Sequence, residues 1–121
     1  MTRQKLTFSK ANRLQTPADF QAVFSQPLRA RSVYFTALAR PQDREDARLG
    51  VIVAKRIIRK AVRRNKIRRM IRESFRLNQA LLAHLDIVVL VRCVLPKQPT
   101  VFFYECLQEQ WESLAAQSQR L

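Results

Sequence analysis

Apolar positions along the chain fall into six clusters, three with helical spacing and three that read as strands. Thr16-Pro17-Ala18-Asp19 opens the first. Thr16 suits a helix cap, Pro17 the first helical position, and Asp19 the positive end of the helix dipole. Phe20, Val23 and Phe24 then share one face, and Pro27 stops the helix. Val33–Ala39 (VYFTALA) reads as a strand, with Tyr34, Thr36 and Leu38 on one face and Val33, Phe35, Ala37 and Ala39 on the other. Leu49–Ala54 is a near-continuous apolar run, as expected of a strand buried on both faces. A long helical periodicity follows and persists to about Ala83. A third strand, Ile87–Val91, begins after Asp86. Pro96 and Pro99 break the chain, and Thr100 suits the cap of a last helix with Phe103, Leu107, Trp111 and Leu114 near one face. The order helix, strand, strand, helix, strand, helix predicts an α/β (α+β) two-layer sandwich, with about three helices on a small central sheet. One domain over residues 1–121 is expected, residues 1–15 forming a basic, partly extended arm with Leu6, Phe8 and Leu14 as its apolar anchors.

The long periodic segment changes this picture. Ala54–Arg76 (AKRIIRKAVRRNKIRRMIRESFR) holds eleven of the chain's 23 Lys and Arg residues and a single acid, Glu73. On a helix, Ile67, Met70, Ile71, Ser74, Phe75 and Asn78 gather on one face. Asn65, Arg68, Arg69, Arg72 and Arg76 gather opposite, with Arg64 at the boundary. Arg64, Arg68, Arg72 and Arg76 are successive i,i+4 neighbours, and three such like-charge pairs cost about 1 kcal/mol of helix stability. A mixed-sign run would be a solvated surface. A run of one sign expects a polyanion.

Composition agrees. A net charge of +14 on 121 residues implies a partner dense in phosphates, nucleic acid first and an anionic membrane second. Ile87–Val91, the longest clean apolar run near the C-terminal half, falls far short of the ~20 residues a membrane span needs. No signal-peptide apolar region follows Met1, and the acid-free first eighteen residues give way to a folded element at Thr16. Cys93 and Cys106 lack a C-x-x-C spacing and read as reduced, which suits the cytoplasm. His84, among Leu81, Leu82 and Leu85, reads as a helix-end residue rather than a ligand.

Self-contained catalysis finds little support. A single glycine, Gly50, excludes Walker A and dinucleotide-binding loops. One histidine leaves few options for a triad, no zinc spacing is present, and of the nine acids only Asp43, Glu45 and Asp46 cluster, in a polar loop. Binding remains. Arg and Lys on one helix face neutralise phosphates, and Asn65 among them can meet phosphate, ribose or a base edge. No helix-turn-helix is evident, and aromatic residues beside a basic helix suit RNA with unpaired bases. Phe20 and Phe24, at i,i+4, are either a core pair or a stacking platform, and the residues alone leave both readings open.

Arg64-Asn65-Lys66-Ile67-Arg68-Arg69-Met70-Ile71-Arg72-Glu73 resembles the R-N-R-x-K-R-x-x-R-E motif of the protein subunit of bacterial ribonuclease P. Asn12-Arg13-Leu14, Asp19-Phe20-x-x-Val23-Phe24 and Leu49-Gly50-x-x-Val53-Ala54-Lys55-Arg56 agree with the same family in order and spacing, from about Asn12 to Trp111. Three departures stand out. Lys66 replaces the usual Arg and loses bidentate phosphate geometry. Arg59-Lys60 stands where many members carry Gly, and Leu38 replaces a sheet-face aromatic, so that either Tyr34 takes its place or stacking there is weaker. The resemblance implies a left-handed βαβ crossover around the basic helix, against the right-handed rule. It also implies a ribonucleoprotein whose RNA is the catalyst, using Mg²⁺ held mainly by that RNA to remove the 5′ leader of precursor tRNA. By that resemblance Lys55, Arg56, Lys60, Arg64, Asn65, Lys66, Arg68, Arg69 and Arg72 bind the catalytic RNA. Phe20, Phe24 and Tyr34 form a leader cleft with Arg13 near its rim. No residue of the protein itself is expected to be catalytic, and neither a membrane nor an obligate protein partner is expected. A ribosomal or assembly protein binding rRNA through the same helix is the alternative, and a protein-only nuclease the enzyme-class rival.

Overall fold

The computed structural model describes residues 8–95 and 101–120. Among them lie three α-helices and one four-stranded mixed sheet. The chain runs through a single 3₁₀ turn (Lys10–Asn12), α1 (Pro17–Ser25), β1 (Leu28–Arg31), β2 (Phe35–Pro41), β3 (Arg48–Ile52), α2 (Ala61–Leu77), β4 (Leu85–Val91) and α3 (Val101–Gln119). Strand order is β1-β2-β4-β3. β2 pairs antiparallel with β1 and with β4, whereas β3 and β4 are parallel neighbours joined through α2. That is the expected α+β architecture with its βαβ crossover.

Alternation along the strands divides the apolar side chains between the two faces of the sheet. Ala30, Phe35, Ala37, Ala39, Leu49, Ile87 and Val89 join the larger core with Ile67, Ile71 and Phe75 of α2 and Phe103, Leu107, Trp111 and Leu114 of α3. Leu38 and Val88 face the other way and meet Leu14 and Val23 in a smaller cluster beneath α1. The last two helices therefore share one face, and the short α1 lies alone on the second. Side-chain hydrogen bonds set α2 against α3: Nε1 of Trp111 donates to Oγ of Ser74 at 2.8 Å, and the amides of Asn78 and Gln108 pair reciprocally. Gln110, buried in α3, donates to the carbonyls of Ala30 and Phe35.

Several expectations need correction. β1 (LRAR) is a strand that the apolar pattern does not announce, because two arginines in four residues hide its half-buried face. β2 starts at Phe35, so the alternation expected from Val33 does not extend to Tyr34. α2 ends at Leu77 rather than near Ala83. Asn78 stops it by turning its side chain onto the carbonyl of Ser74, and residues 78–84 form turns that still bury Leu82. His84 closes those turns with φ of 67°. Its carbonyl accepts from the backbone N–H of Gln42 at 2.9 Å, which makes it a turn residue rather than a helix end. The segment 55–60, read with the basic helix, is a turn and loop leading into it. Both cysteines are free, Cys106 buried and Cys93 half-buried. Leu6, Pro96, Pro99 and Thr100 lie outside the described residues.

Gly50 explains its own presence. It sits in β3 opposite Val88, under the ring of Phe20. A Cβ there would stand 2.5 Å from Cε1 and 2.6 Å from Cζ of that ring, and 3.2 Å from Cδ1 of Leu14. Gly50→Ala should therefore lift Phe20 off the sheet and cost about 1–3 kcal/mol. A urea unfolding curve checks this. A midpoint equal to wild type would mean that the ring yields without cost.

Candidate nucleic-acid interface

Alternation continues into the segment before α1 and sends its residues three ways. Leu14 donates its backbone N–H to the carbonyl of Leu49, and Arg13 bridges Leu49 in parallel fashion, so this stretch runs alongside β3. Asn12 is fully buried. Its Nδ2 donates to the carbonyl of Ala47 at 3.0 Å, and its Oδ1 accepts from the backbone N–H and hydroxyl of Ser9. Leu14 enters the cluster beneath α1. Arg13, one residue earlier, points to the opposite side of the sheet, with its guanidinium carbon 5.3 Å from the ring centre of Phe8. Phe8 in turn packs edge-on against Phe75 of α2 at 5.7 Å, and Arg72 lies 6.0 Å from the same ring.

The cationic flank of α2 is thereby extended by the arm. Phe8, Arg13, Asn65, Arg68, Arg69, Arg72 and Glu73 line one open groove of about 710 Å³. The guanidinium of Arg72 is held below its ordinary proton affinity, first by burial and then by the charges of Arg13 and Arg68. Glu73 does not neutralise the groove, because its carboxylate is taken by Arg76 (Nε–Oε2 3.1 Å, Nη2–Oε1 2.5 Å). Asn65 accepts from Nη1 of Arg68 at 3.3 Å. The groove thus presents converging positive charge above an aromatic ring, the arrangement suited to a phosphate and a stacked base.

The remaining expected RNA-binding residues are distributed around this flank. Lys55, Arg56 and Lys60 are exposed in the segment entering α2, as are Lys66 and Arg69 on the helix. Arg64 is half-buried and folds back, its Nη1 donating to the carbonyls of Ile58 and Arg59 at 2.9 and 2.8 Å. It shapes the loop as well as adding charge. Lys66 stands on the other flank, where Lys60, Arg63 and Lys66 border an apolar hollow of about 480 Å³ floored by Ile57, Ile58, Ile67, Met70, Leu95 and Phe103. Arg63, absent from the expected set, donates Nη2 to the carbonyl of Leu95.

On the other face of the sheet, α1 positions Phe20 and Phe24. Its start has the geometry that its sequence specifies: the Thr16 hydroxyl accepts from the backbone N–H of Asp19, and Oδ2 of Asp19 accepts from those of Gln15 and Thr16, each at 3.2 Å. Val23 is the fully buried anchor. Phe20 is half-buried over Gly50, and Phe24 remains 38% exposed. The pair is thus neither plain core nor free surface. Below it lie Leu38, Val88 and the half-buried Ile52 and Leu90.

Two expected members of this cleft are elsewhere. Tyr34 precedes β2, and its ring packs within 5.9 Å of Phe35 and 5.8 Å of Phe102 on the α3 side. It does not replace the aromatic absent at Leu38, which itself faces α1. Arg13 stands with Phe8 and Arg72 on the α2 side, not at the cleft rim. The signal for Arg13 was present in the sequence: the apolar Leu14 beside it must point to the core, which turns Arg13 the other way.

The Ribonuclease P family model matches residues 8–115, and the chain belongs to that family. Solved structures agree. The RNase P protein of Staphylococcus aureus, in a mutant with defective mRNA degradation activity, is 28% identical over 91% of this chain and 90% of its own, with a TM-score of 0.72. The same organism's protein at 2.0 Å resolution is 27% identical over 91% and 97%, with a TM-score of 0.69. The Thermotoga maritima RNase P protein in complex with 1-(4-fluorophenyl)-2-thiourea is 28% identical over 88% and 94%, with a TM-score of 0.61. Membership supports a role in ribonuclease P, a tRNA-processing endonuclease, and implies association with its RNA.

The cap of α1 should make the aromatic pair sensitive to acid. The proton affinity of Asp19 is lowered chiefly by the backbone N–H of Gln15, against some desolvation, with smaller help from Thr16 and Arg48. A carboxyl whose folded-state value is depressed stabilises above its unfolded value, and that contribution disappears as pH falls through the folded one. Asp19→Asn should therefore be less stable than wild type at neutral pH, the gap closing on acidification below the ordinary carboxylate range. Urea midpoints for both proteins across that range test it. A gap independent of pH would remove the ionised carboxylate from the account.

Proposed function

We propose that this chain is the protein subunit of a ribonucleoprotein that removes the 5′ leader of precursor tRNA. The α2 flank binds the catalytic RNA, and the α1 face of the sheet holds the single-stranded leader. The observation that carries the reading is the groove of Arg13, Asn65, Arg68, Arg69 and Arg72 whose neighbouring acid is already paired. Such a cluster is relieved by a ligand with several phosphates. Phe24, Phe20 and the apolar sheet beneath supply a second, less charged surface on which unpaired bases can lie.

In this reading the hydrolysis of the phosphodiester belongs to the RNA. Among the described residues no group of three or more His, Cys, Asp or Glu side chains could hold a metal ion. The carboxylates nearest the two surfaces are otherwise engaged: Asp86 with Arg48, Asp19 in the cap of α1 and Glu73 with Arg76. The protein's residues thus do not fit a magnesium site, and we assign Mg²⁺ to the partner RNA. Among the described residues no helix is long and apolar enough to cross a membrane, and we infer a cytoplasmic activity.

The test is cleavage of precursor tRNA by the catalytic RNA at low Mg²⁺ and moderate salt, with and without this protein. Restored 5′ cleavage, with none by the protein alone, supports the reading. Binding of both RNAs without any effect on cleavage would favour an rRNA-binding role, and cleavage by the protein alone a nuclease. Within the first outcome, Arg68→Ala/Arg72→Ala should leave the fold intact and weaken binding of the catalytic RNA. With six to ten phosphates engaged, wild-type affinity should fall ~10³–10⁵-fold between 50 and 200 mM salt. The double variant should show a shallower slope, smaller by about 1–2 in log K against log salt. An unchanged slope would take these arginines out of the interface.

A further inference from the structure

The α1 face of the sheet has a second charged margin. Ala30 of β1 is buried in the larger core, so its neighbours Arg29 and Arg31 project to the opposite face, the one on which α1 lies. Both are exposed, and among the described residues neither forms an ion pair. The register places Arg29 beside Leu38 and Arg31 beside Thr36. Thr36 continues through Leu90 to Ile52, so one row crosses the whole sheet from Arg31 on the edge to the end of β3. Lys55 and Arg56 follow that end and are exposed. The row is therefore a short trough. Its floor is the buried Thr36 followed by the half-buried Leu90 and Ile52, and cations stand at both ends.

We propose that Arg29 and Arg31 hold backbone phosphates of the leader at the far side of the cleft, so that the strand crosses the sheet from Lys55 and Arg56 to β1. This rests on the leader reading above. Alternate residues of a strand lie about 6.7 Å apart, close to the phosphate spacing of an extended single strand, so the two arginines can take successive phosphates where the leader reaches the edge and turns along β1. Four strands span about 14 Å from β3 to β1, roughly four nucleotides of stacked strand and fewer of an extended one. Charge on an edge strand also guards against pairing between chains. A guard needs charge anywhere along the edge, whereas these two arginines share the one face that α1 leaves partly open.

The experiment measures the affinity of the assembled holoenzyme for precursor tRNAs whose leaders grow one nucleotide at a time. Wild type, Arg29→Ala/Arg31→Ala and Arg29→Lys/Arg31→Lys are compared, with affinity for the catalytic RNA read in parallel. The expected result is that wild type gains affinity over the last few leader nucleotides. The alanine variant should lose that gain, on the order of tenfold, and its salt slope should fall by about 1.4 for two single-strand phosphates. The lysine variant should keep most of it, and binding of the catalytic RNA should not change. Identical leader-length curves for wild type and the alanine variant overturn the assignment and leave the arginines as edge protection. A matching loss of affinity for the catalytic RNA overturns it too, moving β1 to the other partner. A wild type indifferent to leader length would instead remove the leader reading itself, and this inference with it.

Discussion

The arrangement depends on one buried ion pair. Arg48 and Asp86 stand opposite each other where the parallel strands β3 and β4 begin, joined twice: Nε to Oδ1 at 2.9 Å and Nη2 to Oδ2 at 2.6 Å. The carboxylate side chain is wholly buried and the arginine's nearly so. Removing either partner from such a pair costs about 3–5 kcal/mol, because the survivor is left charged in an apolar setting. The two therefore hold register: a slip of one residue would turn one of them into the opposite core. The same guanidinium reaches Asp19 at 3.6 Å, which ties the first turn of α1 to the sheet. From this corner follow the βαβ crossover carrying α2, and the seating of Phe20 on Gly50 two residues further along β3.

The cationic helix illustrates how a face that opposes folding is kept. Its repulsion amounts to about 1 kcal/mol over three i,i+4 pairs. Against this, Ile67, Ile71 and Phe75 are all but fully buried, each worth about 1.5–3 kcal/mol. The charges are also partly managed within the chain. Arg64 caps loop carbonyls, Arg76 takes Glu73, and Arg63 reaches the carbonyl of Leu95. Among the described residues Arg13, Arg68, Arg69 and Arg72 pair with no carboxylate, and they adjoin one another. The core thus outweighs an unfavourable surface, whose charges crowd most closely in the groove.

Most of the architecture was legible because local pattern and tertiary demand coincide. Thr16, Pro17 and Asp19 specify a helix start that the fold uses unchanged, and the period of Ile67, Ile71 and Phe75 is that of the buried stripe. Two failures share a cause: a local pattern was carried past the point where the backbone changes. Tyr34 continues the alternation of β2 in sequence, but the strand has not yet begun there, so its ring falls on α3. The helical period runs on through Leu82, but Asn78 has already ended α2. β1 was missed because its two arginines serve one face and its short apolar half, Leu28 and Ala30, serves the other.

Those same arginines show why charge count alone located only one of the two surfaces. Eleven cations packed into Ala54–Arg76 dominate the sequence, and they lead to α2. The sheet face beneath α1 is assembled instead from distant segments: Phe20 and Phe24, Leu38, Val88, and the margins of β1 and β3. Each contributes only one or two residues, so no window of sequence displays the site. What does connect the surfaces is the stretch Asn12-Arg13-Leu14 alongside β3. Its buried asparagine fixes its height against Ala47, and its alternation sends Arg13 to the α2 groove and Leu14 beneath Phe20. Two faces separated by a sheet are thereby held in fixed relation by three consecutive residues. A substitution at Asn12 would disturb both at once, whereas changes at Arg13 or Leu14 act on one face each.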